Sequence, residues 1–451
     1  MKNRKSLSSF LKLMLIALPL LFLFCVESNA QTRWTFPSET NPKTLSANTT
    51  FQNGNTYNGN NGGAIYITGQ NVILNASGNY NLTFNNNSAQ IGGAIYIEGN
   101  GSLLINLPNN TVTFTNNTAT RNGSDRGGGA IFAMGTASSI TIRANRLIFD
   151  NNENPYAQGW TGGGAVRLRD GAKMYIYAAT VIFNNNKSAQ DGPFALVTEG
   201  SIMEFGTSVS SAQFSNGYGS LGSAFYINFD NSRFNFYGKK AYFLNNTSYD
   251  QRGVFFIYSG NNIVFDLDAS AHVGGGNLVF FKNYSAAHGA IIHSNSGSGH
   301  IFNFTNQTID ATSNTAKNNG GIIAAYSGAT IRFTNSTSVF TGNTAELGGI
   351  IYLGNASAKV IFNYGSIEFI NNLSSLGTSV GNIALISGSM EISNISRMIA
   401  RGNKAGYGGF LYLPNLTFNF TGSIVELTSN TAFTGYGGGL YFTGSVASFK
   451  G

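Results

Sequence analysis

The residues of this chain best suited to chemistry are few. Asp266 and Asp268 lie two apart in an apolar-polar alternation, which sends both carboxylates to one side of a strand, as acid and base work on a glycosidic bond would need. Corresponding segments carry Asn106, Asn235, Asn303, Asn363 and Asn419 where this one has Asp266, so the position reads as a variant of an Asn column. His272, His288, His293 and His300 cluster in sequence, but their spacing fits no zinc signature, and the pattern assigns His293 to an inward column. Arg167, Arg169 and Asp170 make a charged patch with both arginines on an outer face, where solvating that face is the simplest role. These sets are too sparse for a catalytic centre, so no catalytic residue, metal ligand or cofactor is expected.

An aromatic column is the stronger signal. At a fixed offset in successive sequence repeats come Tyr66, Tyr96, Phe132, Arg167, Leu196, Tyr226, Phe256, Ile292, Ala324, Tyr352, Leu385, Tyr412 and Phe442. Open to solvent, the column would be a stripe for sugar stacking or protein adhesion, with Tyr66, Tyr96, Phe132, Arg167 and Tyr226 as binding residues. Covered by another layer, it would be packing between coils.

The repeat that positions these residues has two parts. A Phe-x-x-Asn element, as in Phe84-Asn85-Asn86-Asn87, precedes a Gly-Gly-small-aliphatic-aromatic phrase, as in Gly92-Gly93-Ala94-Ile95-Tyr96. Thirteen anchors recur 27 to 36 residues apart: Gly63, Gly93, Gly129, Gly164, Pro193, Ser223, Gly253, Gly289, Gly321, Gly349, Asn382, Gly409 and Gly439. A period of about 31 residues belongs to stacked solenoids. Two and four residues after each anchor lie inward columns that begin Ile65, Ile95, Ile131 and Ile67, Ile97, Ala133. A second strand follows, as in Ile105-Asn106-Leu107 or Phe302-Asn303-Phe304. A third ends at the Phe-x-x-Asn element, for example Phe114 with Asn117 or Phe280 with Asn283.

Three short strands per unit predict an all-β, right-handed parallel β-helix, a single-stranded solenoid of about 13 coils and roughly 60 Å. Stacking should set Phe on Phe in the core and join Asn amides along the axis, while Gly-Gly makes the bend. The longer gaps at 118–127 and 153–162 are expected to be surface loops.

Lys2, Arg4, Lys5 and Lys12 precede an apolar stretch at 13–26 and then Ser28-Asn29-Ala30, so residues 1–30 read as a signal peptide cleaved after Ala30. Cys25, the only cysteine, lies inside it, and the mature chain therefore has no disulfide. Of the 26 basic and 19 acidic residues, four and one fall in the leader, which leaves 22 against 18. So small an excess, without any basic run, excludes nucleic acid as a partner. Residues 31–50, with Trp34, Phe36 and two prolines, should cap the first coil of a repeat domain at 51–451.

The paired motifs, seen cleanly at Phe84 and Asn87 with Gly92 to Ile95 and again at Phe114 and Asn117, resemble the passenger region of chlamydial-type polymorphic outer-membrane proteins. The resemblance spans roughly 51–443. It implies an autotransporter-like β-helical adhesin, displayed on the outer membrane or released, that meets a host-cell surface protein or glycan. The chain ends at Phe449-Lys450-Gly451 without the family's C-terminal barrel, so anchoring by a separate barrel, or self-association at that end, is expected. The alternative is a carbohydrate-active β-helix enzyme, a polysaccharide lyase or glycoside hydrolase in type. It would require three carboxylates, or a carboxylate and arginine set, on adjacent coils.

Overall fold

Most coils turn at a corner that demands glycine. Gly92 has φ +61°, and a Cβ on Gly93 would lie 2.1 Å from the carbonyl oxygen of Gly129 in the next coil. The first glycine thus supplies a left-handed bend, and the second lets neighbouring backbones touch.

The strands launched here, such as Ile65–Thr68, Ile95–Glu98 and Ile131–Met134, pair in parallel with their counterparts above and below. Fourteen of them form one sheet in strict chain order. The remainder of a coil belongs to a second sheet. Ser102–Thr115 pairs through its first part with Asn71–Ala76 and through its second with Leu82–Asn85, bending from one face of the coil to the next. After the Asn corner, Thr118–Ala119 pairs with Ser88–Ala89, and Thr118 with Glu153. The opening residues of both expected surface loops are therefore strands of the coil.

The computed structural model describes residues 28–450 except 32, 37–40, 55–60, 122–125, 157–160, 250–252, 273–275, 286, 377–380, 415–416, 435 and 444–445. Among the described residues every helix or strand is a strand, and the molecule is a parallel β-helix. Most of the expected leader lies outside them, and Ala30 falls within Ser28–Gln31, which pairs with Asn48–Gln52. Residues 31–50, expected as a cap, contribute strands that extend the stack. Trp34 stands beside Ile65 and Phe36 beside Ile67, while Asn48–Gln52 pairs with Leu82–Asn85. The reason is that Trp34, Phe36 and Phe51 repeat the apolar spacing of the later coils, and all three are buried.

One apolar core runs through the stack. Its spine is the Phe column: Phe84 on Phe114 at 4.6 Å, Phe114 on Phe149 at 4.7 Å and Phe149 on Phe183 at 4.5 Å between ring centres. Beside it runs a buried Asn ladder. Asn117 Nδ2 donates to Asn152 Oδ1 at 2.9 Å and to the Phe84 carbonyl at 3.0 Å, and Asn152 repeats both contacts with Asn186 and Phe114. At one rung Gly217 replaces Asn and offers only its backbone N–H to Asn246 Oδ1, at 2.9 Å.

The register differs from the sequence-based one in three coils. Phe255 pairs with Ile292 rather than Ile291, Ile351 with Ile383 rather than Ala384, and Leu411 with Leu440 rather than Tyr441. The anchors there become Ala290, Gly381 and Gly438. A similar one-residue shift makes Phe281, not Phe280, the core partner of Phe243, because Asn283 keeps its place on the ladder.

Candidate functional site

The aromatic column lies on the outer face of the Gly-Gly sheet. With the corrected register it reads Tyr66, Tyr96, Phe132, Arg167, Leu196, Tyr226, Phe256, His293, Ala324, Tyr352, Ala384, Tyr412 and Tyr441. Ile292, Leu385 and Phe442 leave it, and His293 belongs to it rather than to an inward column. Consecutive rings stack: Tyr66 on Tyr96 at 5.7 Å, Tyr96 on Phe132 at 5.4 Å, with the Arg167 guanidinium 5.8 Å from the Phe132 ring centre.

Most of the column is covered. Tyr96 is 3% exposed, Phe132 1%, Arg167 1% and Tyr226 0%, whereas Tyr66 is half-buried. Four of the five expected binding residues thus present their faces to neighbouring coils, and Arg167 leaves the expected exposed patch. At two coils the cover includes the residue five positions before the column residue, just ahead of the corner. Ile91 packs on Tyr96 and Phe132, and Leu221 on Tyr226 and Phe256. This lid arises because the corner folds the chain back over the strand it launches.

Polar groups under the lid are bonded locally. Arg167 Nη1 donates to the Arg126 carbonyl at 2.7 Å. At the near end, Glu98 accepts from the hydroxyls of Tyr66 at 2.6 Å and Tyr96 at 2.8 Å. That bond, with burial, pushes the Tyr66 phenol up to about 12. Arg169 bridges to Glu199 at 3.0 Å and Asp170 at 3.3 Å; burial and Asp170 push the Glu199 carboxyl up, and Arg169 opposes them. Further along, His288 Nδ1 lies 3.0 Å from the Tyr326 hydroxyl, and the His288 and His293 rings are 5.3 Å apart. His272 and His300 sit elsewhere, against the carbonyls of Tyr237 and Ser296. No group of acidic, His or Cys side chains fit to hold a metal occurs among the described residues.

Toward the last coils the lid opens. Tyr407 and Tyr436 occupy lid positions and stack at 5.0 Å; Tyr412 and Tyr441 occupy column positions and stack at 5.8 Å. The four rings pack together, Tyr407 lying 5.4 Å from Tyr441 and 6.3 Å from Tyr412, and with Thr443 they line a cleft of about 290 Å³. Tyr436 remains 53% exposed. Sequence reading passed over Tyr407 and Tyr436, although the identical phrase Gly-Tyr-Gly-Gly at 406–409 and 435–438 marks both.

The Asp266 position is confirmed as part of the polar column, pairing with Asn235 on one side and Asn303 on the other. Burial raises the Asp266 carboxyl, opposed by a hydrogen bond with Asn303, and Asp268 bonds Ser270 instead. Burial, then Asp266, Glu204 and Asp268, push the Tyr237 phenol up to about 12, with Arg233 opposing. Glu204, Asp266 and Asp268 thus act on Tyr237 from neighbouring coils.

The coil's parts map onto a known repeat. Residues 81–98 and 111–134 match the Chlamydia polymorphic membrane protein repeat. Each matched stretch runs from the Phe column through the buried Asn to the Gly-Gly strand, so the polymorphic membrane protein repeat coincides with the spine, ladder and corner that set the coil. No curated protein matches the chain, and no solved structure does. No helix among the described residues is long and apolar enough to cross a membrane.

Proposed function

We propose that this chain is an exported, surface-displayed or released β-helical rod that mediates attachment to host-cell proteins or glycans without catalysing a reaction and without a cofactor. The observation carrying this reading is that the repeat matching the polymorphic membrane protein model is the structural unit of the whole rod. The polar ladder and aromatic column are spent on stacking coil on coil, which makes an extended scaffold. Cell fractionation combined with surface protease shaving tests the address: the rod should be lost from intact cells. Beads coated with the mature chain test attachment, and failure to bind host cells would remove the adhesive role.

A second reading, a carbohydrate-active enzyme, is favoured by one observation, the carboxylates around Tyr237. Register places Glu204 and Asp266 two coils apart, roughly 9.6 Å by strand spacing, close to the separation of about 6.5–9.5 Å used by inverting glycosidases. Release of reducing ends from a polysaccharide panel, lost in Glu204→Gln and Asp266→Asn, would establish it. A complete lack of turnover would leave the attachment rod.

A further inference from the structure

The cleft lined by the tyrosine cluster differs from the rest of the column in a way that implies a ligand. At two other coils an aliphatic lid residue lies on the column, Ile91 on Tyr96 and Leu221 on Tyr226. At Tyr407 and Tyr436 the lid residue is a tyrosine, and the four rings, 5.4 Å apart between Tyr407 and Tyr441 and 5.7 Å between Tyr436 and Tyr441, form one aromatic wall beside a cleft of about 290 Å³. The described residues lining the cleft are four tyrosines and a threonine, a lining that suits a neutral ligand. Its lining combines tyrosine rings and their hydroxyls with the side chain of Thr443. A matching ligand has apolar faces and a hydroxylated edge.

We propose that this cleft binds one neutral pyranose residue of a glycan. A pyranose places its C–H face against an aromatic ring while its equatorial hydroxyls meet phenol and threonine hydroxyls. Size agrees, because the volume is at the small end of ligand pockets, roughly 300–1,000 Å³, and the lid rings and the column rings are only 5.0 and 5.8 Å apart along the rod. A proline-rich peptide in its extended helix advances about 3.1 Å per residue and needs a longer aromatic groove than two coils provide. The proposal deepens the attachment reading and rests on it for biological purpose, though not for its chemistry.

The test uses the whole mature chain with lactose, N-acetyllactosamine and maltotriose as probes, read by saturation-transfer NMR and tyrosine fluorescence. At least one sugar should bind, with saturation concentrated on one ring face. Tyr436→Ser and Tyr407→Ser should each weaken it about tenfold, with circular dichroism unchanged. Tyr441→Phe, which keeps the ring and removes the hydroxyl, should weaken it less. Tyr218→Ser is the control, since Tyr218 is an exposed ring stacked on Tyr249 at 5.0 Å outside the cleft. Absence of binding by every probe, equal loss in the Tyr218 variant, or no loss in the Tyr436 variant would overturn the site. So would sedimentation showing self-association abolished by Tyr436→Ser, since a second copy would then be the occupant. If the coated beads fail to attach to cells while sugar still binds through the cleft, the attachment reading falls and the site stands.

Discussion

A buried amide is the residue on which the coil depends most. Asn152 Nδ2 donates to Asn186 Oδ1 at 2.9 Å and to the Phe114 carbonyl at 3.0 Å, while its Oδ1 accepts from the backbone N–H of Asn117 at 3.1 Å and from Asn117 Nδ2 at 2.9 Å. Asn152→Ala strands partners on both sides where water cannot reach them, and should lower stability by about 3–5 kcal/mol. Asn106→Ala removes a single 3.1 Å contact to Asn75 on the outer face, and less than about 1 kcal/mol is expected there. Urea denaturation of the two variants distinguishes them. Asp266 gives a prediction of opposite sign. Its folded pKa is raised chiefly by burial, so protonation favours the folded state: the wild-type penalty is absent below the ordinary carboxylate pKa and complete above the raised one. Asp266→Asn should therefore stabilise the rod at neutral pH and lose its advantage in acid. Thermal melts that show the same difference between variant and wild type at pH 7 and pH 3 would refute this.

At the scale of the element, the Gly-Gly corner fixes where one coil rests on the next. Gly93→Ala places a methyl group 2.1 Å from the Gly129 carbonyl oxygen and 2.7 Å from backbone atoms of Thr118, so the two coils must separate. Gly439→Ala meets nothing within 4 Å and should leave the melting curve unchanged. Had the sequence register been right there, both positions would be anchors and both variants would fail alike. Most coils were legible because Gly-Gly-Ala-Ile is unambiguous. The register slipped where neighbours are chemically alike: Gly437, Gly438 and Gly439 offer two possible pairs, and Ile291 and Ile292 are equally apolar. Backbone pairing, which sequence does not encode directly, chooses between them. The stripe's residues were legible in the same way, whereas their burial was not, since Ile91 and Leu221 cover them only after the corner has folded back. His293 shows both effects, for a one-residue shift moves it from the core column to the covered outer one.

At the scale of the molecule, the described strands of a coil pair only with those of adjacent coils, so damage should stay local. Phe114 is stacked between Phe84 and Phe149, and Phe114→Ala should cost about 3–5 kcal/mol. Hydrogen exchange should show protection lost in the coils around residues 84–149 and kept beyond Phe333, since solenoid stability is a sum over adjacent units. Uniform loss along the chain would contradict that. The Asn ladder adds a property that no single coil has. In the runs from Asn87 to Asn186 and from Asn314 to Asn430, each Asn before the last donates through Nδ2 to the Oδ1 of the Asn in the next, higher-numbered coil. The carboxamide dipoles therefore add head to tail, and Gly217 interrupts the chain of amides without reversing it. A coil inserted upside down would set oxygen against oxygen, while one duplicated or deleted in the native sense would leave the current unbroken. Such a rod is threaded like a screw: it can be lengthened or shortened across generations by whole turns, and only in one direction.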